Sequence, residues 1–177
     1  MRRLVVVGNG KAADAFLRQV QQYKHDLSIT VFSGGAPPRS PAWYRSHRID
    51  LRQDVLITAV DRHARLAKAS DGSRTTFDRL ILATGSSGLI PPGLEARRGV
   101  MVNRSLETSD GHVYAIGDCA ETRDASRLPS LEQQARLLAR RLVGEAVGLE
   151  VEHPLRTVLL TASSANSRQV GARALSA

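Results

Sequence analysis

Residues 3–13, RLVVVGNGKAA, decide how this chain is read. Leu4 to Val7 form an unbroken, mostly β-branched apolar run, the pattern of a strand buried on both faces of a parallel sheet. Gly8-Asn9-Gly10 stops that run, and Lys11 to Tyr23 continues with Ala12, Ala13, Phe16, Leu17 and Val20 at helical spacing. Residues 28–32, SITVF, read as a second strand, so the first 32 residues make one βαβ unit. Gly8, Gly10 and Ala13 fit the G-x-G-x-x-A form of the dinucleotide fingerprint. Gly8 allows the tight turn, Gly10 leaves room for a pyrophosphate at the helix N-terminus, and Ala13 lets helix and strand pack closely. Asn9, Lys11 and Ala12 complete that loop, where the positive end of the helix dipole faces anionic phosphate.

One part of the fingerprint is missing. An acidic residue ordinarily ends the second strand and holds the adenosine ribose hydroxyls. Here the strand runs into Ser33-Gly34-Gly35, leaving Ser33 to make a weaker hydrogen bond and Arg39 as a candidate for a phosphate.

Beyond this unit, residues 33–41 (SGGAPPRSP) form a Gly/Pro loop, followed by a short helical turn over Trp43 to His47. Residues 55–60, 64–69 and 74–77 read as short strands, with Asp71-Gly72 as a hairpin turn. Asp78 to Ala83 is a strand running into Thr84-Gly85-Ser86, and residues 112–116 form a last strand ending at Gly117-Asp118. Leu131 to Val147 carries a helical apolar stripe, and the tail beyond Pro154 ends in a Ser/Ala/Arg stretch. The expected fold class is α/β: a single Rossmann-like domain over 1–150 with a parallel sheet, a small antiparallel β insertion at about 54–77, and a tail over 151–177.

Composition narrows the function classes. A hydrophobic fraction of 42% in 177 residues supports a packed core. Cys119 is the single cysteine, which excludes an internal disulfide and a Cys-x-x-Cys redox pair; it reads as a buried small hydrophobe rather than a reactive thiol. The five histidines are scattered without metal-ligand spacing, so no metal site is expected. Ser86-Ser87 is not a G-x-S-x-G elbow. The net charge of +8 comes from scattered arginines with no aromatic-studded basic stripe, so nucleic-acid binding is not expected. No apolar run is long enough to span a membrane, and the four apolar residues before Gly8 are too few for a signal peptide, which fits a cytoplasmic setting.

Three further segments carry a resemblance. Phe77 to Ser86 (FDRLILATGS) looks like the strand and Thr-Gly turn that pass near the flavin in FAD/NAD(P)-dependent pyridine nucleotide-disulfide reductases. Gly99 to Glu121 (GVMVNRSLETSDGHVYAIGDCAE) resembles their second FAD signature, and Leu131 to Ala135 (LEQQA) resembles the helix start that follows it. The combination is most similar to the flavin domain of nitrite reductase large subunits and of rubredoxin and ferredoxin reductases, over roughly residues 3–147. The resemblance implies FAD as cofactor, held by Gly8, Asn9, Gly10, Lys11, Ala12, Ser33, Ala83, Thr84, Gly85, Gly117 and Asp118, with Asp118 on the ribityl or phosphate side. By its chemistry alone, Asp118 also reads as a turn or helix-cap aspartate.

The departures from that pattern are informative. Family members carry a second, NAD(P)-binding Rossmann unit between the ATGS segment and the second signature, whereas Gly85 and Gly99 are only 14 residues apart. The catalytic residues are therefore unassigned. The expected function is a FAD-binding oxidoreductase component that lacks its own NAD(P)H site and works with a partner. The alternative is a non-catalytic dinucleotide-binding or assembly module. Either way the partner is a homodimer mate or another redox subunit, expected near residues 84–100 and the tail, where an uncovered face would be buried again.

Overall fold

The computed structural model describes residues 1–86, 90–122 and 128–146. Its core is a five-stranded parallel sheet. β1 (Arg2–Val7) lies at the centre, flanked by β2 (Leu27–Ser33) and β7 (Arg79–Leu82), with β3 (Ile49–Gln53) and β9 (Val113–Ala115) at the edges in the order β3-β2-β1-β7-β9. Val7 stands level with Phe32 on one side and Leu82 on the other, so three strands end together at one edge of the sheet. Leu4 to Val7 are all buried, as the unbroken apolar run requires of a central strand. α1 (Lys11–Val20) and α3 (Leu131–Ala146) pack against each other, burying Phe16, Leu17 and Val20 with Ala135, Leu138 and Leu142. α2 (Pro41–Ser46) is a short helix before β3.

The antiparallel insertion is β4 (Ile57–Asp61), β5 (Leu66–Ala69) and β6 (Arg74–Thr76), turning at Gly72 with φ +83°. It lies where the sequence places it, with slightly shorter strands. α1 ends at Val20 rather than Tyr23, because Gln21 and Tyr23 close the turn onto Leu17 and Val20 carbonyls. The sequence reading passes over β3 and over a two-stranded parallel pair, β8 (Val100–Val102) with β10 (Ala120–Thr122). β3 is an edge strand that buries only Ile49 and part of Leu51, and its Ile-Asp-Leu-Arg alternation is the one signal that marks it. β8 and β10 are three residues each, too short for any period to show. The tail over 151–177 lies outside the described residues, as do 87–89 within the expected contact region.

The start of the sheet is fastened by Asp78. Its carboxylate accepts from the Arg3 backbone N–H at 2.8 Å and from the Arg3 guanidinium at 2.8 and 3.2 Å, while the Asp78 N–H returns a bond to the Arg3 carbonyl at 2.9 Å. These donors hold the Asp78 pKa far below the usual carboxylate range. A carboxyl group depressed in the folded state stabilises above its unfolded pKa near ~4, and that stabilisation is lost as pH falls toward the folded value. Asp78→Asn is therefore expected to lower the melting temperature at neutral pH. The gap from wild type should narrow steadily below about pH 4 in thermal melts; a gap independent of pH would show that the carboxylate charge is irrelevant here.

Candidate functional site

The carboxyl ends of β1, β2 and β7 open onto a cleft of about 1040 Å³, closed on its far side by Gly117 and Asp118 after β9. Ligands bind at this end of open α/β sheets. Gly8 leaves β1 with φ +100°, and its N–H donates to the Phe32 carbonyl at 2.9 Å. A Cβ at Gly8 would sit 2.4 Å from the Ala83 carbonyl oxygen, so this turn is glycine by necessity. Gly10 is different. Its φ of −84° suits any residue, and a Cβ there would meet nothing within 4 Å: the space beyond it belongs to the cleft.

Helix capping points to the same place. α2 is capped by the Ser40 hydroxyl, and α3 by a reciprocal pair in which Ser130 and Gln133 each bond the other's backbone N–H. α1 begins at Gly10 with no side-chain cap, and Gly10, Lys11 and Ala12 line the cleft. The first amides of a helix have no partner within it, so here they form a donor set suited to an anion. Asp14 in the same turn would oppose an anion, but Arg39 donates to it at 2.6 and 3.0 Å and Arg18 at 3.2 Å. Arg39, and with it Arg18, holds the Asp14 carboxyl below its ordinary pKa, and these arginines offset its charge outside the cleft lining.

The candidate residues divide by what their side chains do. Ala83, Thr84, Gly85, Gly117 and Asp118 all line the cleft, and Asp118 is exposed within a single 3₁₀ turn, Gly117–Cys119. The Thr84 hydroxyl is buried beside the Cys119 thiol. Gly117 has φ +77°, donates its N–H to Gln134 Oε1 at 3.0 Å, and approaches Ala12 so closely that a Cβ would lie 2.7 Å from it. The carboxamide of Asn9 is buried and engaged with the Tyr44 hydroxyl, its nitrogen at 2.9 Å and its oxygen at 3.1 Å. Ser33 is buried and donates to the Gly35 carbonyl at 2.7 Å. Arg39, a candidate for a phosphate on the sequence, is occupied by Asp14 and is absent from the lining.

Sequence reasoning misses Tyr44, Leu131 and the Val55–Thr58 stretch that line or support the cleft. No motif marks Tyr44 or the Val55–Thr58 stretch, and Leu131 stands in the LEQQA segment but is not read there as a site residue. Val55 reaches the site because its N–H bonds the Ser33 carbonyl at 3.2 Å, which folds the strand connection back over the β2 end. Cys119 is buried, with its thiol donating to the Leu82 and Ile116 carbonyls at 3.1 and 3.3 Å. Burial pushes that thiol's pKa up, only partly offset by Thr84 beside it, which fits an inert small side chain. Among the described residues no group of His, Cys, Asp and Glu could hold a metal, and no helix is long and apolar enough to cross a membrane.

Known proteins resemble this chain in sequence and in fold. A nitric oxide reductase FlRd-NAD(+) reductase of Klebsiella pneumoniae is 29% identical over 85% of this chain and 44% of its own length. A rubredoxin-NAD(+) reductase of Acinetobacter baylyi is 28% identical over 93% of this chain and 46% of its own. The chain thus spans less than half the length of these curated relatives. Among solved structures, putidaredoxin reductase in covalent complex with putidaredoxin superposes with a TM-score of 0.70 at 15% identity, covering 81% of this chain and 75% of that one. NADH:rubredoxin oxidoreductase of Clostridium acetobutylicum gives 0.66 at 12% identity, with 86% and 78% covered. These last two show a shared fold. The family model for pyridine nucleotide-disulphide oxidoreductases matches residues 46–139, more than half of the 177 residues, and the chain belongs to that family.

Proposed function

We propose that this chain is a FAD-binding oxidoreductase component that exchanges electrons with a separate partner. The observation that carries the reading is the uncapped start of α1 beside the Gly117–Asp118 turn in one glycine-walled cleft. The residues fit the cofactor at three points. The open space beside Gly10 accommodates a pyrophosphate against the α1 amides. The Asp118 carboxylate, at the neighbouring strand end, is an acceptor for ribityl hydroxyls. Thr84, between them, lines the same cleft. When bound, FAD supplies electron-transfer chemistry that no side chain lining the cleft provides. The chain's own part is to hold and orient it: Gln134 fixes the Gly117 turn, and Tyr44 fixes Asn9 behind the phosphate loop.

The relatives' names point to the kind of partner, since rubredoxin appears in one and FlRd in another. A small electron-carrier protein, or a second copy of this chain, is the proposed partner. A non-catalytic dinucleotide-binding module is the second reading. It is favoured by β2 ending in the neutral Ser33 in place of a carboxylate for the ribose.

The two readings share one expectation about hydride donors. Gly85 to Gly99 spans 14 residues, against the roughly 30 that a further βαβ unit takes. Protein loaded with FAD and mixed anaerobically with NADH or NADPH is expected to keep its flavin absorbance over minutes. Rapid bleaching with no other protein present would overturn the separate-partner reading. Bleaching only after a carrier protein is added together with its NADH-dependent reductase would support the electron-transfer reading over the non-catalytic one.

A further inference from the structure

The ribose end of the cleft supports a second inference, which rests on the dinucleotide reading above. β2 ends at Ser33, and the wall beyond it is Gly34, Gly35 and Ala36. A carboxylate at this strand end accepts from the ribose 2′-hydroxyl and repels a phosphate in its place. Ser33 does the first only weakly: its hydroxyl hydrogen is donated to Gly35 at 2.7 Å, which leaves a neutral oxygen as the acceptor. Being neutral, it cannot do the second.

No other acid substitutes. Asp118 is the one carboxylate among the described residues that line the cleft. It follows β9, whereas Ser33 ends β2, and the sheet order β2-β1-β7-β9 puts three strand steps between them, roughly 14 Å. Asp14 is held by Arg39 and Arg18 and is absent from the lining. Lys11 is the one cation among the described lining residues, so the local charge does not oppose a further phosphate. A Cβ added at Gly35 would meet nothing within 4 Å, which leaves open space at this wall for a substituent on the ribose.

We infer that the ribose end of this cleft does not discriminate against a 2′-phosphate, so the site takes adenine dinucleotides with either a free or a phosphorylated adenosine ribose. The test compares ADP-ribose with 2′-phospho-ADP-ribose, which differ only in that group and carry neither flavin nor nicotinamide. Direct calorimetric titration of the full chain, with FAD displacement as a check, is expected to give affinities within about threefold of each other. A preference of tenfold or more for ADP-ribose would overturn this inference while leaving FAD binding intact. Binding of FAD without binding of either ADP-ribose compound would also overturn it. Failure of FAD itself to bind would remove the dinucleotide reading and this inference with it. Gly35→Glu, placed where a side chain has space, restores a carboxylate at this wall and is expected to weaken the 2′-phosphorylated compound at least tenfold relative to ADP-ribose. Equal affinities in that variant would mean that the ribose lies elsewhere in the cleft.

Discussion

Gly10→Val is expected to remove FAD binding while the protein stays folded. A Cβ at this position meets no atom of the chain within 4 Å and the backbone angle is unexceptional, so the side chain enters the cleft instead of the core. The space it fills is the approach of a pyrophosphate to the α1 amides. Losing a helix N-cap glycine to a β-branched residue costs about 1 kcal/mol, a shift of roughly 2–4 °C in melting temperature for a chain of this size. Affinity for FAD, by contrast, should fall at least roughly 100-fold. Gly8→Ala is the informative contrast. Its Cβ overlaps the Ala83 carbonyl at 2.4 Å and its φ is +100°, so about 3 kcal/mol or more of stability should go before binding is considered. A Gly10→Val protein with wild-type affinity would show that the phosphate loop has been placed wrongly.

Arg141→Met is expected to be among the most destabilising single changes in the fold. Arg141 and Glu107 are 6% and 5% exposed and approach to 3.4 Å, joining α3 to the loop before β9. Arg141 also donates to the Tyr114 hydroxyl at 3.3 Å and lies over its ring, and Asn103 donates to Glu107 at 3.2 Å. Removing the guanidinium leaves a buried carboxylate short of its counter-ion, which costs about 3–5 kcal/mol, or very roughly 10–15 °C in melting temperature. Combining it with Glu107→Leu removes the carboxylate that Arg141 faces, so the double variant should be more stable than Arg141→Met alone. Thermal melts of the two variants check this; a double variant that melts lower than the single one would mean that the pair's hydrogen bonds matter more than its charges. None of these residues lines the cleft, so FAD affinity in the folded variants should be unchanged.

The parts of this protein that were legible in its sequence are those set by strong local patterns. The run Leu4 to Val7 could only be a central strand, and the glycines after it could only be a turn into a helix, because each residue type there answers a steric demand. The ATGS and Gly-Asp segments placed the other two strand ends, and all three meet at one cleft. What escaped was set by tertiary contact. β3 is half polar because an edge strand faces water, and β8 and β10 pair across 20 residues with three residues each. Tyr44 and Val55 carry no motif; they matter because the chain folds back to bond Asn9 and Ser33. Arg39 and Ser33 show the converse limit. Both have the right chemistry for a ligand, and both are occupied by neighbours, Asp14 and Gly35, that composition and spacing do not reveal.

The central claim is that the cleft holds FAD, and equilibrium dialysis of the purified chain against FAD tests it most directly. The expected result is saturable uptake approaching one FAD per chain, with flavin absorbance retained by the protein and lost in Gly10→Val. A folded wild-type protein that takes up no FAD across the micromolar range would contradict the account.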